Sequence, residues 1–223
     1  GTPFWSNIHS CPFTPLRWPL WLIEADLAYA VAIGLSAVAA ALSTYAMARR
    51  LSLSSPASLL AGWTFASNLY FVSRIRIGHL TFLESYYCLP FLLSLVERYA
   101  QAPEQPSAKR NNLLLLALGA LCVSLSGHPQ LPIYAMTLAV LYVLVRIPIR
   151  NALRAIAAMG LGGGMAGVTL WPMWKLVHRS TRLLPLDAPT NDIPFRLERL
   201  WRFLEVWPRR VPFDLSFMTF DAP

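Results

Sequence analysis

Charge is scarce in this chain of 223 residues. Asp, Glu, Lys and Arg together make up 13% of it, about half of the ~25% usual in soluble domains. Two stretches, residues 113–126 and 131–145, hold no charge at all. The hydrophobic fraction is 56% and the mean hydropathy +0.46. The apolar residues come in unbroken runs, not in a stripe of period 3.6, so they suit contact with lipid and with other helices. These deficits exclude an ordinary soluble domain. They predict an all-α fold, a polytopic transmembrane helix bundle of about six spans. Cysteine is scarce too: there are three, and Cys88 and Cys122 lie inside apolar runs. An odd count in that setting reads as small core residues without a disulfide framework. His9, His79, His128 and His178 have no ligand spacing with cysteines or carboxylates, so no metal is expected. The chain has no initiator Met and no signal-peptide pattern, and Asp221-Ala222-Pro223 does not look like a natural stop. It reads as a fragment of a longer protein.

The net charge of +8 is a topology signal in a chain this apolar, and no nucleic-acid partner is expected. Residues 1–24 read as a partial loop on the outer face, with four prolines and with Trp5, Trp18 and Trp21 suited to the membrane interface. Residues 25–174 read as the bundle. The cleanest span covers 27–48, where Ala28, Ala32, Ser36, Ala40, Thr44 and Ala48 recur every fourth residue and give a smooth packing face. Further spans are predicted over 56–72, 80–96, 113–126, 131–145 and 155–174. A basic loop is predicted at 73–79 and a polar linker at 97–112. Between the two uncharged runs stands Gly127-His128-Pro129-Gln130. One helix from 113 to 145 would be roughly 50 Å long, against a hydrocarbon core of ~30 Å, so the chain must turn near Pro129. The five glycines between 160 and 167 lack the strand and the Lys-Ser/Thr of a nucleotide loop. The pairs Gly160/Gly164 and Gly163/Gly167 instead have helix-contact spacing.

Alternating the loops puts Arg49, Arg50, Arg98, Lys109, Arg110, Arg146, Arg150 and Arg154 on one side, which the positive-inside rule makes cytoplasmic. Residues 73–79, 127–130 and 175–223 then share the outer face of the membrane that this multi-pass chain crosses. Residues 175–223 read as a truncated juxtamembrane segment, with an interfacial amphipathic helix over 195–207. Candidate site residues gather on that face. Arg74, Arg76 and His79 suit a phosphate, which arginine grips through paired N–H donors. Glu84, one turn further in, either serves as a base or sugar-hydroxyl acceptor or forms an ion pair with Arg74 or Arg76. His128 and Gln130 either bind substrate or satisfy the broken helix ends. Arg182 either extends the basic rim or is solvated.

Thr44-Tyr45-Ala46-Met47-Ala48-Arg49-Arg50-Leu51, then Gly78-His79-Leu80, Leu89-Pro90 and Gly127-His128-Pro129-Gln130 with Tyr134 resemble the YfhO-like family of bacterial membrane proteins. Ser180-Thr181-Arg182 and the run ending at Trp207-Pro208 are similar to it as well. The family belongs to the GT-C glycosyltransferase superfamily. The resemblance implies transfer of a sugar from a polyprenyl-phosphate carrier to a cell-envelope glycopolymer acceptor on the outer face, with no separate cofactor. It also implies a catalytic acid in the first outer loop. Residues 1–23 contain no acid, and the first are Glu24 and Asp26; the acid is therefore expected upstream of Gly1. A transporter or flippase of a lipid-linked or small solute, with its site at broken helices, is the reading from another class. A noncatalytic assembly subunit is a third.

Overall fold

The structure, a computed structural model, describes residues 13–178, the side chains of Pro19, Asp26 and residues 176–178 aside. Every regular element among the described residues is helical. A 3-10 helix, Pro15–Leu22, leads into α1 (Ala25–Arg50), α2 (Ser55–Ala66), α3 (Leu69–Ile77), α4 (Leu80–Leu83) and α5 (Cys88–Ala100). These are followed by α6 (Pro106–Ser124), α7 (Gln130–Arg146), α8 (Ile149–Met165) and α9 (Gly167–His178). Local chemistry sets several of these boundaries. Ser54 caps α2 by accepting from the Ala57 N–H, with Pro56 in the first turn, where its missing donor costs nothing. Asn68 caps α3 by accepting from the Phe71 N–H at 3.0 Å. Gly78, at φ 75°, ends α3 in the left-handed conformation that glycine adopts without strain.

α5 is the centre. Its Cys88, Leu92, Val96 and Tyr99 are buried, a spacing that lays them along one helix face. They meet Ala40 of α1, Leu116, Ala120 and Val123 of α6, and Ala135, Ala139 and Val143 of α7. The small residues let backbones approach closely, which is how helices associate when lipid supplies no hydrophobic drive. In α1 the predicted four-residue stripe is the inward face: Ala32, Ser36, Ala40 and Ala48 are all buried. α2 crosses α1 at Gly62, where a Cβ would lie 2.6 Å from the Ala41 carbonyl oxygen. α6 and α8 meet at Gly162, where a Cβ would collide with the Ala117 carbonyl oxygen and sit 3.0 Å from the Ala120 methyl. Gly162→Leu is expected to lower stability by about 2–4 kcal/mol, since overpacking alone costs ~1–3 kcal/mol and the obstacle is backbone. Thermal unfolding in detergent, compared with Gly160→Leu, checks this.

Among the described residues two helical stretches are long and apolar enough to cross a membrane, Leu27–Arg50 and Leu80–Ala100. The pair Ile149–Met165 and Gly167–Lys175, bent by 59°, makes a third if it counts as one span. The predicted 56–72 span is instead two helices, because Asn68 turns its side chain onto the chain's own backbone and starts α3 afresh. The basic loop predicted at 73–79 is mostly helix, the last turns of α3. The span predicted over 80–96 is present as Leu80–Ala100, passing through turns over 84–87 between α4 and α5. Glu97 therefore lies in buried helix and not in a polar linker. α8 begins at Ile149, well before the predicted 155, and its Gly160 and Gly164 face open space. Close helix contact falls on Gly162, which the predicted glycine pairs omitted. The predicted outer-face segment beyond residue 178, with Arg182 and the helix expected over 195–207, lies outside the described residues, as do residues 1–12.

Candidate functional site

At one end of the bundle the α6–α7 turn docks against α4 and the N-terminal segment. Gly127 sits at φ 47° and is buried; a Cβ there would run into Ser85 Oγ and the Thr81 carbonyl. The turn is tied from three sides. The His128 N–H donates to the Thr81 carbonyl at 2.9 Å. Thr14, fully buried, accepts from the Gly127 N–H at 3.0 Å and donates to the Leu125 carbonyl at 3.2 Å. Tyr87 OH meets Ser126 Oγ at 2.7 Å. These bonds satisfy the backbone groups that two broken helix ends would otherwise leave bare in an apolar setting.

The docking brings three predicted residues around one that was not predicted, Phe82. The His128 ring stacks on Phe82 with centroids 4.4 Å apart, and His79 stacks at 5.6 Å. The Arg74 guanidinium lies 4.7 Å from the Phe82 centroid and 4.9 Å from that of Tyr70. Its Nη1 donates to His79 Nδ1 at 3.0 Å. Guanidinium has no lone pair to offer, so His79 carries its ring proton on Nε2 in this arrangement. Arg74 Nε is buried without a hydrogen-bond partner among the described residues. Glu84 lies beneath, and its partner is Arg17 of the N-terminal 3-10 helix: Nε donates to Oε1 at 2.5 Å. The expected pairing with Arg74 or Arg76 is thus replaced, because the aromatic faces of Tyr70 and Phe82 hold Arg74 elsewhere. Glu84 is fully buried, and its Oε2 has no hydrogen-bond partner among the described residues.

Arg76 is exposed in the last turn of α3, about 200° around the helix from Arg74. Gln130 is exposed and donates through Nε2 to Tyr134 OH at 2.9 Å. A cavity of about 280 Å³ opens beside the cluster, lined by Arg17, Gly78, His79, Leu80, Thr81 and Phe82. No family model, curated protein or solved structure matches this chain. What the site can do chemically therefore follows from its own groups. An arginine bonded to one imidazole, on an aromatic ring that a second imidazole also stacks against, suits an oxyanion. A buried carboxylate with one vacant acceptor suits a hydroxyl donor. Among the described residues no group of three His, Cys, Asp or Glu side chains has metal-binding geometry.

Arg17 and Phe82 escaped the sequence reading. Arg17 was within reach: it is the one Lys or Arg among residues 1–24, and a buried acid at 84 requires a cation. Phe82 carried no signal, since an aromatic in an apolar run is ordinarily core. A second polar centre, around Glu97, lies at the far end of α5. Its carboxylate accepts from Arg146 Nε at 2.7 Å and Nη2 at 3.3 Å, from Tyr142 OH at 2.5 Å and from Gln101 Nε2 at 3.1 Å. Every oxygen is engaged, which marks this group as a structural tie between α5 and α7.

Proposed function

We propose that this chain is part of a membrane-embedded, GT-C-like glycosyltransferase that moves a sugar from a polyprenyl-phosphate carrier to a cell-envelope acceptor. The observation that carries the reading is the Arg74–Phe82–His128 stack, where a cation and two imidazoles from three separate elements meet at one end of an apolar helix bundle. A phosphate leaving with the carrier needs such fixed positive charge where negative charge develops. The residue resemblance to the YfhO-like family supports the same reading. On this proposal the bundle has six spans in a bacterial inner membrane, with the Arg74–His128 end outward. Glu84 and Arg17 form the floor of the site.

In the full-length protein, His128→Ala and Arg74→Ala are expected to cut envelope glycosylation at least tenfold, with membrane insertion and abundance kept. Arg76→Ala, on the other helix face, is expected to have the smaller effect. Glycosylation at normal levels in the first two variants sinks the reading. A transporter of lipid-linked or small solutes is favoured by one feature: helices break at Ser67–Asn68 and at Ala166, and transporters place sites at such breaks. Uptake or flipping of a labelled lipid by the protein in vesicles, without sugar transfer, decides for that alternative.

A further inference from the structure

The far end of α5 carries positive charge that no described acid neutralises. Three turns gather there, joining α1 to α2, α5 to α6 and α7 to α8. Side chains tie them together. Gln101 Nε2 donates to the Arg50 carbonyl at 2.7 Å, and the Tyr99 hydroxyl donates to the Asn151 carbonyl at 3.4 Å. Arg146 pairs with Glu97 across α5 and α7. The same ties bring Arg50 of α1 close to Arg98 of α5, which repels it, and to Glu97, which attracts it. Glu97 has no oxygen left for Arg50, because Arg146, Tyr142 and Gln101 already occupy both. The other acid at this end, Glu104, is paired with Lys109 at 3.2 Å. Among the described residues the Arg50 guanidinium therefore has neither a hydrogen bond nor an ion pair. Arg98 gives its Nε to Asn112 Oδ1 at 2.8 Å, and its two terminal nitrogens remain available.

We propose that Arg50 and Arg98 form a binding site for the phosphate headgroup of an anionic phospholipid. Charge requires an anion. Three guanidiniums around the single Glu97 carboxylate leave two positive charges over. The helix ends do not cancel them, since the C-termini of α1, α5 and α7 meet the N-termini of α2, α6 and α8 at this level. Each carries about half a unit charge, of opposite sign in the two sets. Level selects a lipid. Leu27–Arg50 and Leu80–Ala100, the two stretches able to cross a membrane, both end at this pair, which sets it where headgroups begin. Arg98 is exposed there and Arg50 half-buried, so a headgroup reaches both. Geometry selects phosphate, which guanidinium grips through paired N–H donors. A general excess of basic residues on one side of a membrane needs no such pair. Here Gln101 and Asn112 hold two like charges in fixed places. The site is separate from the Arg74–His128 end and does not depend on the transferase reading.

The test is native mass spectrometry of the full-length protein in a non-ionic detergent, titrated with phosphatidylglycerol. One lipid is expected to bind ahead of the rest, with phosphatidylcholine at least tenfold weaker. Arg50→Gln and Arg98→Gln should each cut phosphatidylglycerol affinity about fivefold, the worth of one basic group near an anionic surface. Arg150→Gln, exposed at the same end, should change it less than twofold. Should Arg98→Gln lose its monodisperse elution, Arg50→Gln decides alone, since the Arg50 side chain holds no other described element. An equal loss in Arg150→Gln overturns the proposal, because the attraction is then a diffuse field. Phosphatidylcholine binding as tightly as phosphatidylglycerol overturns it by removing the headgroup's role. Glycerol phosphate should displace the lipid at least tenfold less well than phosphatidylglycerol itself. Equal displacement by glycerol phosphate, or by a Glu-rich peptide, assigns the pair to a soluble anion or to a protein partner and overturns the lipid site.

Discussion

Arg17→Met is expected to destabilise the bundle by about 3–5 kcal/mol, the cost of leaving one partner of a buried ion pair without the other. Glu84 is fully buried, and Arg17 is its one ionic partner among the described residues. Removing the guanidinium leaves a carboxylate with neither water nor cation. The double variant Arg17→Met/Glu84→Met is expected to recover most of the loss, because two apolar side chains of similar length fill the space without a desolvation cost. Thermal unfolding of both singles and the double in the same detergent closes the cycle. A double variant as unstable as Arg17→Met would show that Arg17 acts through other contacts. The comparison also bears on function. If Glu84 is only a structural partner, the double variant regains activity along with stability. If Glu84 accepts a hydroxyl proton or hydrogen bond, activity stays lost while stability returns.

The helical class was legible from residue runs alone, and so was the turn at 127–130, because length against bilayer thickness leaves no other solution. The packing face of α1 was legible as well, since small residues at a strict interval of four announce a contact surface. Span boundaries were less so. Asn68 breaks a helix inside apolar sequence, and no glycine is involved. Asn68 does it by turning its side chain onto the Phe65 carbonyl and the Phe71 N–H, a local competition that hydropathy does not register. Proline was no guide either: Pro90, Pro132 and Pro172 all lie within helices. Pro90 and Pro132 stand within the first three residues of α5 and α7, where a missing N–H leaves no gap in the ladder.

The site was legible in its charged members and opaque in its organiser. Arg74, His79 and His128 stand out because polar residues are rare in such a chain. That they meet depends on Phe82, which offers faces to all three, and on Thr14 drawing the N-terminal segment across 113 residues to Gly127. No periodicity encodes a contact of that separation. Glu97 shows the opposite failure. It sits at the start of a stretch rich in Arg, Gln, Pro and Asn, so it reads as solvated linker, yet it is fully buried and holds α5 to α7.

Gly127→Ala is expected to cost about 2–5 kcal/mol. An L-residue at φ 47° loses ~1–2 kcal/mol to the left-handed conformation, and forcing a methyl into a filled space adds ~1–3 kcal/mol. The obstacles are Ser85 Oγ and the Thr81 carbonyl, and the carbonyl is backbone and cannot swing aside. Relief requires the turn to lift from α4. That movement breaks the bond from the His128 N–H to the Thr81 carbonyl and the Thr14 clasp together, and it withdraws the His128 ring from Phe82. Stability and site geometry should therefore fail in one step. The expected result is a lowered unfolding temperature together with the loss of function seen in His128→Ala, although the imidazole is still present. Gly78→Ala is the control. It too has a positive φ, 75°, but a Cβ there meets nothing nearer than the Tyr29 hydroxyl at 3.9 Å. It should cost only the conformational part and leave function close to intact. Equal losses in the two variants would mean that backbone conformation alone, and not the seat of the turn on α4, controls the His128 position.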